Sequence, residues 1–220
     1  MKKVGLLLSG CGFNDGSEIH ESVISMLALD RAEVETVIMA PNIDQMHVVN
    51  HYTGQEMDEF RNVLVESSRI ARGNIKDMAE VTGNDLDALI IPGGFGVAKN
   101  LSDYAMAGPD CSVNPDVYRL VSEIYLLKKP IGAICIAPVM MAKIFGEQDE
   151  SAEMTIGSDE LTSKDINTMG SKHIKCLVSE MIIDEDKKLV TTPAYMEAQS
   201  IKEAAEGIEK LVKQVLLMIE

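Results

Sequence analysis

Between Gly132 and Phe145 the chain reads GAICIAPVMMAKIF. The apolar run ending at Ile134 has the pattern of a buried strand, Cys135 follows it, and an apolar helix is predicted to start around Ala137 and Pro138. Proline is tolerated in a first helical turn, where its missing N–H leaves no bond unmade. That places Cys135 at or just before a helix N-terminus. Free N–H groups and the helix dipole favour a thiolate there, so a lowered thiol pKa is expected. A nucleophile on a sharp strand-to-helix turn is the elbow arrangement of hydrolases. The competing reading is a small buried hydrophobe, which is what most free cysteines are.

Two glycine-rich segments accompany that corner: SGCGFNDGS over residues 9–17 and PGGFG over residues 92–96. Each follows an apolar run, and ligand sites of open parallel sheets lie beyond the carboxyl ends of the strands. Neither has the spacing or the lysine of a phosphate-binding loop, which argues against nucleotides. Cys11, in the first segment, is expected to face the same cleft as Cys135, where it can act as a resolving thiol. His47 and His51 are spaced i, i+4 but lack the glutamate and the third ligand of a zinc helix, so no metal site is expected. His173 and Cys176 read as local surface and strand residues. His20 adjoins Glu21, and adjacent helix positions point apart.

The elements that must position these groups follow from periodicity. Strands are predicted at Lys3–Leu8, Glu35–Met39, within LDALIIPGGFG (residues 86–96), at Pro130–Ile134 and, shorter, at Met154–Gly157. Helices are predicted from about Glu18 to Leu29, at Asp58–Ala71, at Pro115–Leu127 and from about Met196 to Met218. In the second of these, Phe60, Val63, Leu64, Ser67 and Ile70 share one face, and Gly73 is a helix stop. MIIDEDKKLVTT reads as a hairpin turning at Asp184–Lys187. The stretch 42–55 has no clear pattern. Helices alternating with strands that are apolar on both faces imply a parallel sheet covered on two sides, an α/β sandwich. With no repeat, low-complexity tract or linker, residues 1–220 are expected to form one domain.

Composition narrows the functional classes. Of the 220 residues, 46% are hydrophobic and 25% charged, and the formal net charge is −15. That charge argues against nucleic acid and an anionic membrane surface as partners, since both are bound through basic patches. Four dispersed cysteines form no CxxC pair, which suggests a reduced protein and a cytoplasmic location. MKKVGLLLSGC looks at first like a lipoprotein leader, but Val4–Leu8 is shorter than a signal core and a strand explains it better.

PGGFG and AICIAP at this separation resemble the ThiJ/PfpI superfamily, with its flavodoxin-like sandwich, also described as the class I glutamine amidotransferase-like fold. SGCGFNDGSEIHE, RNVLVESSRIARG, PGGFGVAKNL, CIAP, VTTPAYM and HVVNHYTGQEM together resemble the ElbB group, the isoprenoid-biosynthesis glyoxalase-like proteins, over almost the whole chain. The resemblance implies a site without metal or cofactor that acts on a small dicarbonyl such as glyoxal, in a protein expected to be a homodimer. It implies Cys135 as nucleophile and Glu21 as its carboxyl partner, with Glu18 one turn earlier as the second choice. It implies an oxyanion hole formed by Gly94 and the N–H of Ile136. Some relatives carry a histidine directly after the cysteine, where this chain has Ile136, and amidotransferases have a late His-x-Glu, whereas His173 is followed by Ile174 and Lys175. Proton transfer is therefore expected to fall to a carboxylate. The alternatives are a redox-sensing or partner-binding protein with an oxidisable Cys135, and a glutaminase-like amidotransferase subunit.

Overall fold

A computed structural model describes residues 1–220. The first half of the chain forms β1 (Lys3–Leu7), α1 (Ile19–Arg31), β2 (Glu35–Ala40), a small hairpin of β3 (Val49–Asn50) and β4 (Gln55–Glu56), α2 (Val63–Ile70), β5 (Lys76–Asp77) and β6 (Ala88–Ile91). It continues through α3 (Tyr104–Ala107), α4 (Pro115–Leu126), β7 (Ile131–Ile134), α5 (Ala137–Glu147), β8 (Glu153–Met154) and α6 (Glu160–Thr168). Last come β9 (Lys172–His173), β10 (Ile182–Asp184), β11 (Leu189–Thr192) and α7 (Ile201–Leu217).

Seven strands make one sheet in the order β10-β11-β7-β6-β1-β2-β5. All pairs are parallel except β10–β11, the hairpin predicted from its turn residues. Strand alternation divides the core. Leu7, Leu89, Ile91, Ile131 and Ala133 face one side and pack with α4 and α5. Leu6, Ile38, Ile90, Ile134 and Val190 face the other and pack with α1, α2 and α7. Both faces are thus buried, which is why these strands read as continuous apolar runs. At Gly132 a side chain would drive into α7, since a Cβ there would lie 2.7 Å from Leu211 Cδ2. No helix is long and apolar enough to cross a membrane.

Several boundaries differ from the sequence expectations. The helix predicted from Asp58 begins at Val63, because the Asn62 side chain caps it by accepting the Val65 N–H at 3.0 Å. Arg61 is held outside by donation of the Gln45 N–H to its carbonyl, and Phe60 is 91% exposed rather than in the core. The last helix begins at Ile201 after the Ser200 cap, and Ala194–Met196 form a separate tight turn. The strand expected at Met154–Gly157 is only β8, which pairs with β9 outside the main sheet. The helix α6, capped by Asp159, was not anticipated.

Candidate active site

Cys135 occupies the corner between β7 and α5, and its φ is +62°. A residue with a Cβ is strained in that left-handed region, so the position is held by its surroundings. The Cys135 N–H donates to Thr192 O at 3.0 Å, which ties the corner to the end of β11. The side chain is 7% exposed.

Glu21 reaches this sulfur from the first turn of α1 and is fully buried. Its carboxyl Oε2 and the Cys135 sulfur both sit against Gly93, which brings the two side chains together. The carboxyl accepts the Gly93 N–H on Oε2 at 2.8 Å and the Tyr195 N–H on Oε1 at 3.3 Å. Glu18 does a different job. Its side chain caps α1 by accepting the Glu21 N–H at 2.7 Å, and its own N–H donates to Gly93 O. The two candidate glutamates are thereby separated: Glu21 meets the sulfur and Glu18 stands beside it in the cleft wall.

Gly93 and Gly94 make this approach possible. A Cβ on Gly93 would fall 2.5 Å from Cys135 Cβ, 2.8 Å from Glu21 Oε2 and 3.0 Å from Cys135 Sγ. Gly94 has φ +96°, and a Cβ there would strike Glu18 N and Gly16 O. The N–H groups of Gly94 and Ile136 lie close enough to the Cys135 sulfur to favour its thiolate. Gly93→Ala is expected to force the carboxyl and the thiol apart. It should cost about 1–3 kcal/mol of stability, as overpacking in a rigid core does. Denaturant unfolding checks the cost, and a variant as stable as the native protein would contradict it.

Electrostatics at the pair correct one expectation. Burial raises the Glu21 pKa to about 8, with the Glu18 charge as the second cause and the hydrogen bonds from Gly93 and Tyr195 opposing. Burial likewise raises the Cys135 thiol instead of leaving it lowered, and the Glu21 charge adds to this, against the Gly94 and Ile136 N–H groups. The helix N-terminus does favour the thiolate, but desolvation outweighs it. Two buried groups in contact cannot both be charged cheaply, so the pair holds its two protons at neutral pH and releases the first near pH 8 as a unit.

Cys135 opens onto a cavity of about 590 Å3, which Glu21 does not itself line. Phe13, Phe95, Ala98, Leu161 and Met196 supply apolar wall, and the charged side chains lining it are Glu18, Asp159 and Asp165. Tyr104 donates its hydroxyl to Asp165 at 2.7 Å, and burial followed by that carboxylate pushes its phenol pKa upward. Gly94 and Ile136 also line the cavity. Sequence reading missed Gly93, Tyr195, Tyr104, Asp159 and Asp165. The VTTPAYM segment was the one available signal for Tyr195, which follows Ala194 at φ +43°.

Other candidates fall elsewhere. Cys11 does not line the cleft of Cys135, contrary to expectation. It lies near Glu66 and Arg69 of α2, and its pKa is raised by burial first and by Glu66 second. His47 and His51 share no helix, since residues 47–48 are irregular and β3 follows. His51 instead accepts the Asn14 N–H at 3.3 Å and steadies the first glycine-rich loop. His173 accepts the Ile156 N–H at 3.4 Å, and burial lowers its pKa.

A covered parallel sheet with a cysteine elbow at its carboxyl edge defines the class I glutamine amidotransferase-like fold. Residues 11–194 match the DJ-1/PfpI family, and the chain belongs to that family. It is similar to the mitochondrial ES1 protein homolog of Rattus norvegicus, with 43% identity over 97% of this chain and 83% of the relative. It is equally similar, at 43% identity over 97% of this chain and 82% of the relative, to a Homo sapiens protein. That protein is the mitochondrial glutamine amidotransferase-like class 1 domain-containing protein 3. The crystal structure of an isoprenoid biosynthesis protein with an amidotransferase-like domain from Ehrlichia chaffeensis superposes with a TM-score of 0.94. Its identity is 36% and both chains are covered completely. A DJ-1 variant from Schizosaccharomyces pombe, at 21% identity and a TM-score of 0.58, shares the fold. The resemblance to the isoprenoid-biosynthesis group is upheld by these relatives. The expected cytoplasmic location is not: the curated relatives are named as mitochondrial proteins, which points away from the cytoplasm.

Proposed function

We propose that the chain is a cofactor-independent enzyme of the glyoxalase type, converting small dicarbonyls such as glyoxal to hydroxy acids. The observation that carries this reading is the buried Glu21 carboxyl set against the Cys135 side chain beside Gly93, with Cys135 itself lining the cavity. The reactive form has lost one proton from the pair. Glu21 carries that charge, takes the thiol proton as the sulfur adds to one aldehyde carbon, and hands it to the oxygen that receives the carbonyl electrons. The N–H groups of Gly94 and Ile136 are the donors that hold charge on this side of the site.

Glu21, a carboxylate again, removes the hydrogen from the carbon bearing sulfur, which leaves an enediolate whose hydroxyl proton passes to the neighbouring oxygen. Glu21 returns the proton it took to the neighbouring carbon. The first carbon is oxidised to a thioester as the second is reduced to an alcohol, so no outside oxidant is consumed. Water then releases glycolate and regenerates the thiol. A carboxyl raised to about 8 suits this shuttle, since it must both take and give protons near neutral pH.

The test is glyoxal consumption and glycolate formation by purified protein without added cofactor, before and after chelation with EDTA and dialysis. Turnover is expected to be retained, because each step uses a group of this chain or water. Lasting loss restored only by added zinc or nickel would overturn the mechanism. Absence of turnover with glyoxal and methylglyoxal alike would overturn the reading itself.

A further inference from the structure

The last step needs a base that meets water from the cavity, and Glu21, which works at the sulfur from the interior side, does not line that cavity. Glu21 is fully buried, and both of its oxygens accept backbone N–H groups behind the sulfur. No histidine lines the cavity. One imidazole nevertheless connects to its wall. Tyr195 lines the cavity, and its hydroxyl lies 2.8 Å from His20 Nδ1, with the two rings 5.7 Å apart. His20 itself is exposed on α1. Adjacent helix residues do point apart, but Tyr195 spans the gap, giving its N–H to Glu21 and pairing its hydroxyl with His20 Nδ1. The left-handed Ala194 sets the turn that allows this double reach. Burial, with the charges of Glu18 and Glu21, raises the Tyr195 pKa and keeps the phenol able to pass on a proton.

We propose that Tyr195 and His20 form the hydrolytic base that releases the acyl group from Cys135. Water attacks the thioester carbonyl. Its proton passes to the Tyr195 oxygen as the Tyr195 proton moves to His20 Nδ1. The tetrahedral intermediate collapses with breakage of the C–S bond and departure of sulfur as thiolate, and His20 then gives its proton to solvent. Only the identity of the acyl group rests on the dicarbonyl reading.

The experiment therefore uses two acyl sources, glyoxal and p-nitrophenyl acetate, and follows acyl-Cys135 by mass spectrometry after rapid quenching. His20→Ala and Tyr195→Phe are expected to deacylate at least about tenfold more slowly and to accumulate the adduct, the low end of a general-base effect. Tyr195→Phe keeps the N–H bond to Glu21, and His20 is exposed, so both variants retain the floor of the site. Added imidazole should restore deacylation to His20→Ala, a rescue that a purely structural role would not give. Deacylation of His20→Ala within about twofold of native, where no base has been lost, would overturn the pair. So would slowing in Glu18→Gln alone, which moves the role to Glu18, or no acyl-Cys135 in any variant from either compound. Dependence on His20 with p-nitrophenyl acetate but no glyoxal turnover would leave the pair standing and remove the dicarbonyl substrate. Glyoxal turnover indifferent to His20 would do the reverse.

Discussion

Cys135→Ala and Cys135→Gly are both expected to reduce dicarbonyl turnover to the rate in buffer, and the glycine variant is expected to be the more stable of the two. The first outcome follows from the chemistry: without sulfur no hemithioacetal forms, and Glu21 has no bound carbon to act on. The second follows from the backbone. Elsewhere an alanine-to-glycine change costs about 0.5–1 kcal/mol through chain entropy. At φ +62° the sign reverses, because the left-handed region costs a Cβ-bearing residue about 1–2 kcal/mol that glycine does not incur. The corner is held in place by the Cys135 N–H bond to Thr192 O, which both variants keep. Unfolding midpoints in urea provide the comparison. If alanine proves the more stable, the corner is relaxed in solution and the strain argument fails. Residual turnover in either variant would assign the nucleophile elsewhere.

The strand framework was legible because burial on both faces leaves a local mark. The runs at β1, β6 and β7 carry little but apolar residues, and Pro138 marked the start of α5 beyond Cys135. Helix extents were less legible. Phe60 fits the apolar face of α2 by spacing, yet Asn62 stops the helix short of it, and a cap competes with periodicity over a few residues. The site divided in the same way. Cys135, Glu21, Glu18, Gly94 and Ile136 were reached through motifs and resemblance, and the structure places four of them on the cavity wall and Glu21 buried against Gly93 beside the sulfur. Gly93 and Tyr195 hold Glu21 through main-chain N–H groups, which every residue but proline has, so residue type gave no hint of that role. Ala194 is another silent case, since nothing in an alanine announces a positive φ. The thiol was misjudged because a helix N-terminus is visible in sequence while desolvation depends on what the rest of the fold places around it.

Glu21→Gln is expected to lower turnover by about 10²–10⁴-fold, the range for loss of a general acid–base group. Glutamine keeps a donor for the sulfur but carries no proton between carbons. It also has a single oxygen for the two N–H groups of Gly93 and Tyr195, so one of those bonds is lost. The pH dependence distinguishes this role from a merely structural one. In the native protein the active form is the pair after its first ionisation, so kcat/KM should rise with pH and level above about 8, where Glu21 is placed. Glu18→Gln removes the second cause of that raised value and should move the rise to lower pH without abolishing turnover. Stability runs the other way. A carboxyl whose folded pKa exceeds its unfolded 4.5 binds more protons in the native state between the two values. Its contribution is full below about 4.5 and is lost as pH rises toward about 8, at no more than about 1.4 kcal/mol per pH unit. Urea titrations at several pH values should show this decline in the native protein and a flatter profile in Glu21→Gln. A flat native stability profile would mean that Glu21 is not raised by burial, and activity that falls between pH 6 and 8 would mean that the ionised pair is not the active form.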